Sequence, residues 1–353
     1  MNQTITLVYV TGRRDPLLKW FVDSLCNQTD FDQRRHIQLV IVDGNVWDKS
    51  VSRASVPERS IRFADPKYHD ADRRVEVELI INNRFDYLHI PPLPCVYDGP
   101  FRFTSQDWFA ASNSRNTAFV VTKYPFVAMC DDLSVLGPIW FPQILHAAEH
   151  RYVVAGAYLK QKKMVVEDGK LVSFEDFPGG RDSRWDQGSD EGIKAFTGSM
   201  FGCSFGLPIE AALAVDGFEM ATCGGGGEDY DFGIRLRRAG HGIFYNRNML
   251  SVESEEHHHA EDFMVRKLRE RRRVIRENLP VAYDSYTHVK DGDEKYMSDH
   301  VLLNRVLNEA RIIPLLPQNL RGLREKFLAT GLIDIPSGPR TDWRDNSSLS
   351  SSP

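Results

Sequence analysis

The chain has 353 residues, of which 42% are hydrophobic and 26% charged, and its formal net charge is −5. This composition excludes wholesale disorder and gives no global electrostatic case for nucleic-acid binding, while the length suits one large domain or two smaller ones with a sizeable core. Cys26, Cys95, Cys130, Cys203 and Cys223 are scattered without paired spacing, which points to free thiols in a reducing compartment and to neither a disulfide frame nor a zinc site. The start Met1-Asn2-Gln3-Thr4-Ile5 lacks the charged and apolar regions of a signal peptide, and no stretch approaches the ~20 apolar residues that span a bilayer. A soluble, cytoplasmic protein with no transmembrane segment is expected.

Residues 5–10 are an apolar, β-branched run broken by Thr11-Gly12-Arg13-Arg14-Asp15-Pro16, so a buried strand and a turn are expected. Helical spacing follows over 17–26, and a second strand over 37–42 ends at Asp43-Gly44. Strand, helix, strand with near-continuous apolar strands indicates a parallel sheet covered on both faces, and ligands bind beyond the carboxyl ends of such strands. Thr11, Gly12, Arg13 and Asp43 therefore fall on a candidate ligand edge, although Asp43-Gly44 also suits a plain turn. Residues 75–81 suggest a strand, and Pro91, Pro92 and Pro94 demand extended chain. A helix with a polar entry is expected over 112–121, then a buried strand over 126–130 that ends in Asp131-Asp132.

Residues 153–158 read as a further strand. Residues 161–192 are mostly polar, with Pro178-Gly179-Gly180 and Trp185 among charges, and read as a long lid-like or disordered loop. A glycine-rich aromatic strand over 198–206, a helix over 208–215 and a turn at Asp216-Gly217-Phe218 lead to the densest motif, Cys223-Gly224-Gly225-Gly226-Gly227-Glu228-Asp229-Tyr230-Asp231. Glycine admits close backbone approach, and a helix start favours carboxylates. The pattern suits a polar, non-anionic ligand that must lose a proton; the plainer alternative is a linker and a capped surface helix. After a strand near 242–246, residues 253–259 combine carboxylates with His257, His258 and His259, groups that suit Mn²⁺ or Zn²⁺. The basic stretch 263–278 is either a solvated face or a patch for an anionic partner. An amphipathic run over 301–310 follows, and the serine-rich end suggests a disordered tail.

Asp131/Asp132, Glu228/Asp229 and His257 to His259 thus fall on one expected face. An acidic pair with a distant histidine is a reasonable ligand set for a divalent ion that neutralises a diphosphate leaving group. A separate carboxylate can then take the proton of an attacking hydroxyl. Together these parts make sugar transfer from a nucleotide sugar coherent, and hydrolysis would use the same parts with water as nucleophile.

The strand-helix-strand start, Ser114-Arg115-Asn116-Thr117-Ala118 and the strand into Asp131-Asp132 resemble the nucleotide-sugar half of GT-A glycosyltransferases, family 2 in particular. Val215-Asp216-Gly217-Phe218, Gly226-Gly227-Glu228-Asp229-Tyr230-Asp231 and Arg235-Leu236 are similar to the C-terminal module of family-7 galactosyltransferases. The resemblance implies an α/β fold of GT-A (Rossmann-like) type, a mostly parallel mixed sheet with helices on both faces. It implies a transferase domain over 1–260, with a nucleotide-sugar half to about 135 and an acceptor half from about 136, a helical extension over 261–340 and a disordered tail over 341–353.

The implied activity is metal-dependent, inverting transfer from a UDP-sugar donor to a hydroxyl acceptor, with Mn²⁺ or Mg²⁺. Thr11, Arg13, Asp43, Arg115 and Asp131 would contact the donor. Asp132 with His257 or His259 would hold the metal, Asp229 would be the base, and Glu228 would hydrogen-bond the acceptor. Two departures stand out. Leu133 occupies the second acid of the Asp-x-Asp pattern, and Cys223 and Gly225 stand where family 7 has tryptophans, so the acceptor does not carry over. The basic stretch points to an anionic acceptor such as a glycan, a lipid-linked glycan or modified DNA. A helix N-terminus should also depress the pKa of Asp229, an awkward property for a base. The rival readings are a nucleotidyltransferase or nucleotide-sugar hydrolase, and a non-catalytic glycan- or nucleic-acid-binding protein on a transferase scaffold.

Overall fold

In each of three apolar runs, alternate side chains must find cover on opposite faces of a sheet. They become β1 (Ile5–Thr11), β2 (Ile37–Asp43) and, later, β4 (Phe126–Asp131). The computed structural model describes residues 4–13, 15–29, 31–32, 36–46, 69–93, 111–187, 193–194, 200–219, 228–258 and 319–331. Between and after those strands come α1 (Leu18–Cys26), α2 (Ala71–Ile81), β3 (Asp86–Ile90), α3 (Ala111–Val121), β5 (Ser134–Leu136) and α4 (Trp140–His150). The second half adds β6 (Val153–Glu167), β7 (Lys170–Arg181), β8 (Ile193–Lys194), β9 (Ser204–Pro208) and α5 (Ile209–Ala214). It continues with α6 (Glu228–Arg238), β10 (Ile243–Ser254), α7 (Glu255–His258) and α8 (Leu320–Thr330).

The sheet runs β3-β2-β1-β4-β9-β6-β10-β5, with β7 on β6 and β8 on β10. Along that path only β9 and β5 oppose the other strands, so the sheet is mixed and mostly parallel, as expected. Val8, Val10, Val40, Val42, Val127 and Met129 feed one core with Phe119, Phe218, Phe232 and Leu320, under α3, α5, α6 and α8. Leu7, Tyr9, Leu39, Ile41 and Ala128 feed the other with Phe21, Val77, Ile81 and Trp140, under α1, α2 and α4. Helices therefore cover both faces. Among the described residues no helix is long and apolar enough to cross a membrane.

Two expectations are corrected. Residues 75–81 are helical: the Asp70 side chain caps α2 by accepting from the Arg73 amide, and Val77 and Ile81 form the buried stripe while Val75 and Leu79 face out. Much of the expected loop over 161–192 is the long β6–β7 hairpin, closed by Asp168 and Gly169, both with positive φ. The glycines at 224–227, His259, the basic stretch 263–278, the run over 301–310 and the tail 341–353 lie outside the described residues.

Candidate active site

Strand register assembles the ligand edge. Thr11 lies opposite Asp43 across β1 and β2, and Val10 lies opposite Asp131 across β1 and β4. The Thr11 hydroxyl donates to Asp132 Oδ2 at 2.7 Å, and Arg13 Nε donates to Asp132 Oδ1 at 3.1 Å. Burial is the largest influence on Asp132 and lifts its pKa to about 6; Arg13 and Thr11 hold it down only in part, and Asp131 adds to the lift. Leu133 follows in a left-handed turn (φ 66°) and is fully buried. Its amide donates to the Pro16 carbonyl, and its carbonyl accepts from the Ser254 amide at 3.1 Å, so it ties the exits of β1, β4 and β10 together. The departure from Asp-x-Asp is thus a buried apolar turn residue in a strained conformation.

At the end of β2, Asp43 is fully buried and its carboxylate is saturated. Oδ1 accepts from the Asn45 amide at 2.8 Å, while Arg73 Nε (2.7 Å) and His89 Nε2 (3.1 Å) meet Oδ2. Burial alone would raise its pKa; the bonds from His89 and Arg73 outweigh that and leave it lowered. Sequence reasoning missed both partners. Arg73 sat in a segment read as leading to a strand, and His89 in an unassigned one.

α3 inserts an unusually polar buried face, Ser112 to Thr117, beside these strand ends. Asn116 clips the 215–218 turn to it, its amide donating to and accepting from the Phe218 backbone at 2.8 and 2.7 Å. Arg235 on α6 donates to the carbonyls of Val215 and Gly217. These bonds set the start of α6 against α3, where Arg115 joins the two acidic motifs. Its Nη1 bonds Glu228 Oε1 at 2.9 Å, and its Nη2 bonds Asp131 Oδ1 at 2.8 Å. The Arg115 side chain is 4% exposed, whereas that of Asp131 is 37% exposed and open to a ligand.

Next to this bridge, Asp229 Oδ2 accepts from the Gly202 amide at 2.8 Å and Oδ1 from the Tyr230 amide at 2.7 Å. Its pKa is raised to about 6. Burial is the main cause and the Glu228 charge the second, with Arg115 and the two amides offsetting them in part. The expected depression by the helix start is therefore overturned: desolvation and a like charge win over the terminal dipole.

Glu253 is a further residue that sequence reasoning absorbed into a polar run. It is 4% exposed on β10, opposite Lys160, and among the described residues its Oε1 has no hydrogen-bond partner. Burial, then Asp131, push its pKa up to about 8, with Lys160 offsetting only part.

Of the residues expected in the site, Thr11, Arg13, Asp131, Asp132, Arg115, Glu228 and Asp229 come together. Asp43 stands one strand away within its own ion-pair network. His257 lies in α7, which leaves β10 beside the Leu133 turn; its side chain and that of His258 are outside the description. The fit to a divalent ion is partial. Asp131 and Asp132 are oxygen donors of the kind Mn²⁺ and Mg²⁺ take. Both Asp132 oxygens are engaged, however, and among the described residues no group of three His, Cys, Asp or Glu side chains is arranged to hold a metal.

No protein-family model and no curated protein sequence matches the chain. Among solved structures, it is similar to a crystal structure of GalNAc-T7 with UDP, GalNAc and Mn²⁺, at 10% sequence identity and a TM-score of 0.48. That alignment takes in 93% of this chain and 57% of the other, so the chain spans little more than half the length of that neighbour. Similarity at this level assigns no function, and the functional reading rests on the site's own geometry.

Proposed function

We propose that the chain is a GT-A-type glycosyltransferase that moves a sugar from a UDP-sugar to a hydroxyl acceptor with inversion. The observation that carries this reading is the Arg115 bridge. One buried guanidinium links Asp131, open to solvent at the end of β4, to Glu228 at the start of α6, beside a carboxylate whose pKa of about 6 suits a base.

In this reading, residues 1–260 form the transferase unit and residues 261–340 an extension that includes α8. Thr11, Arg13, Asp131 and Arg115 border the donor diphosphate, and the Asp43–Arg73–His89 network shapes the nucleotide end of the edge. Asp229 is ionised near neutral pH, with its oxygens aimed by two backbone amides. It takes the proton of the acceptor hydroxyl as that oxygen bonds to the anomeric carbon. The bond from the anomeric carbon to the diphosphate breaks, its electron pair leaving with UDP. Glu228 orients the acceptor hydroxyl. Because base and leaving group lie on opposite faces of the sugar, the anomeric configuration inverts. A divalent ion, Mn²⁺ or Mg²⁺, held by Asp132 with His257 or His259, would neutralise charge on the leaving diphosphate.

The test is donor turnover in Mn²⁺ and in EDTA, with the anomeric configuration of the product read by proton NMR. Turnover lost in EDTA and an inverted product are expected, and Asp132→Ala is expected to abolish Mn²⁺-dependent UDP binding. A retained configuration removes Asp229 from its role; UDP binding unchanged in Asp132→Ala removes the metal assignment.

A further inference from the structure

Residues 201–204 run into β9 between the two acids of the site, and each is held from a different direction. The Phe201 ring lies 4.2 Å from the Arg184 guanidinium, which is itself buried and bonded to Asp182 and to the Gly156 carbonyl. The Gly202 amide donates to Asp229 at 2.8 Å. The Cys203 carbonyl accepts from the Asp131 amide at 3.2 Å, and the Ser204 hydroxyl accepts from Trp140 Nε1 at 2.7 Å. This stretch therefore touches Asp229 through one residue and Asp131 through the next. Arg115 spans the same gap with its side chain.

Gly202 is not in the left-handed region, so its backbone conformation alone does not call for glycine. Space does. A Cβ there would lie 1.9 Å from Arg115 Nη2, 2.5 Å from Cζ and 2.9 Å from Nη1. The guanidinium is buried and bonded at both of those nitrogens, so it can yield only by giving up Asp131 or Glu228.

We infer that Gly202 is a positioning residue of the site: its amide aims Asp229, and its bare Cα seats Arg115 between Asp131 and Glu228. The consequence for turnover rests on the proposed transfer reaction, whereas the geometry does not. The charged groups that act on Asp229 are Glu228 on its own helix and Arg115 from α3, alongside the amides of Gly202 and Tyr230.

The experiment compares wild type, Gly202→Ala, Arg115→Lys and the double variant. Two readouts are taken: the ¹³C-carboxyl titration of Asp229 without substrate, and UDP-sugar turnover. Gly202→Ala is expected to move the Asp229 midpoint upward, because the cation that lowers it is displaced, and to cut turnover about 100-fold. In the Arg115→Lys background the same change is expected to leave the midpoint unmoved and alter turnover less than about twofold, because the slimmer ammonium leaves room for the methyl. Gly202→Ala effects that are absent, or equal in both backgrounds, overturn the inference. If Gly202→Ala fails to fold alone but folds with Arg115→Lys, the inference stands; failure to fold in both backgrounds overturns it. A wild type without turnover defeats the proposed function, while the titration still decides the role of Gly202.

Discussion

Asp43 and Asp229 are both desolvated carboxylates within reach of an arginine, yet their acidities are driven in opposite directions. Asp43 is bonded directly by His89, Arg73 and the Asn45 amide, and although Arg73 also pairs with the half-exposed Glu76, the Asp43 pKa is lowered. Asp229 shares the field of Arg115 with Asp131 and Glu228, both directly bonded to that arginine, and its pKa is raised to about 6. Burial is the largest raising influence on both. What differs is the direct partners: His89 and Arg73 both bond the Asp43 carboxylate, whereas Arg115 bonds Asp131 and Glu228 and acts on Asp229 through its charge alone.

The largest effect expected from breaking this contrast is at Asp43. Asp43→Asn leaves the buried Arg73 with only the half-exposed Glu76 as counter-charge and should cost about 3 kcal/mol in chemical denaturation. The pH dependence follows from the sign of the shift. A depressed folded pKa contributes stability above the unfolded carboxylate value of about 3.9 and loses it as pH falls through the folded value. The gap between wild type and Asp43→Asn should therefore narrow in acid; a gap that widens in acid contradicts the ion-pair account.

A smaller effect is expected on the acid limb of turnover. In the proposed reaction Asp229 must be ionised to accept a proton, so kcat/KM should fall below about pH 6 and lie about tenfold under its plateau at pH 5. Smaller still is the effect of Glu228→Gln, which removes the like charge that helps to lift Asp229 and frees Arg115 toward it. The acid limb should move to lower pH by less than about one unit. A limb that moves upward would mean that Glu228 and Asp229 do not interact as like charges.

Much of this architecture is legible in local pattern. The apolar runs over 5–10, 37–42 and 126–130 became β1, β2 and β4, each longer by one residue at its C-terminal end, and the run of acids after the glycines does open a helix. Local pattern failed where context decides. Val75, Ile80 and Ile81 look like strand residues, but the Asp70 cap and the i, i+4 pair Val77/Ile81 make a helix. The β6–β7 hairpin did carry a signal, Asp168-Gly169 between alternating segments, which the polarity of the region obscured.

The site divides in the same way. The acids Asp131, Asp132, Glu228 and Asp229 were readable from spacing and resemblance. The raised pKa of Asp229 was not, because Arg115 meets Glu228 across 113 residues and Gly202 meets Asp229 across 27. Glu253 was hidden among acids of a polar run, since only the sheet register buries it.

The most direct test of the central claim is a mass-spectrometric screen of nucleotide sugars for UDP release, with Mn²⁺ present, by wild type and Asp229→Asn. Wild type should release UDP from a UDP-sugar, and Asp229→Asn should reduce that release by about 10²–10⁴-fold while still binding UDP. Full release by Asp229→Asn, or consumption of no nucleotide sugar by wild type, would contradict the account.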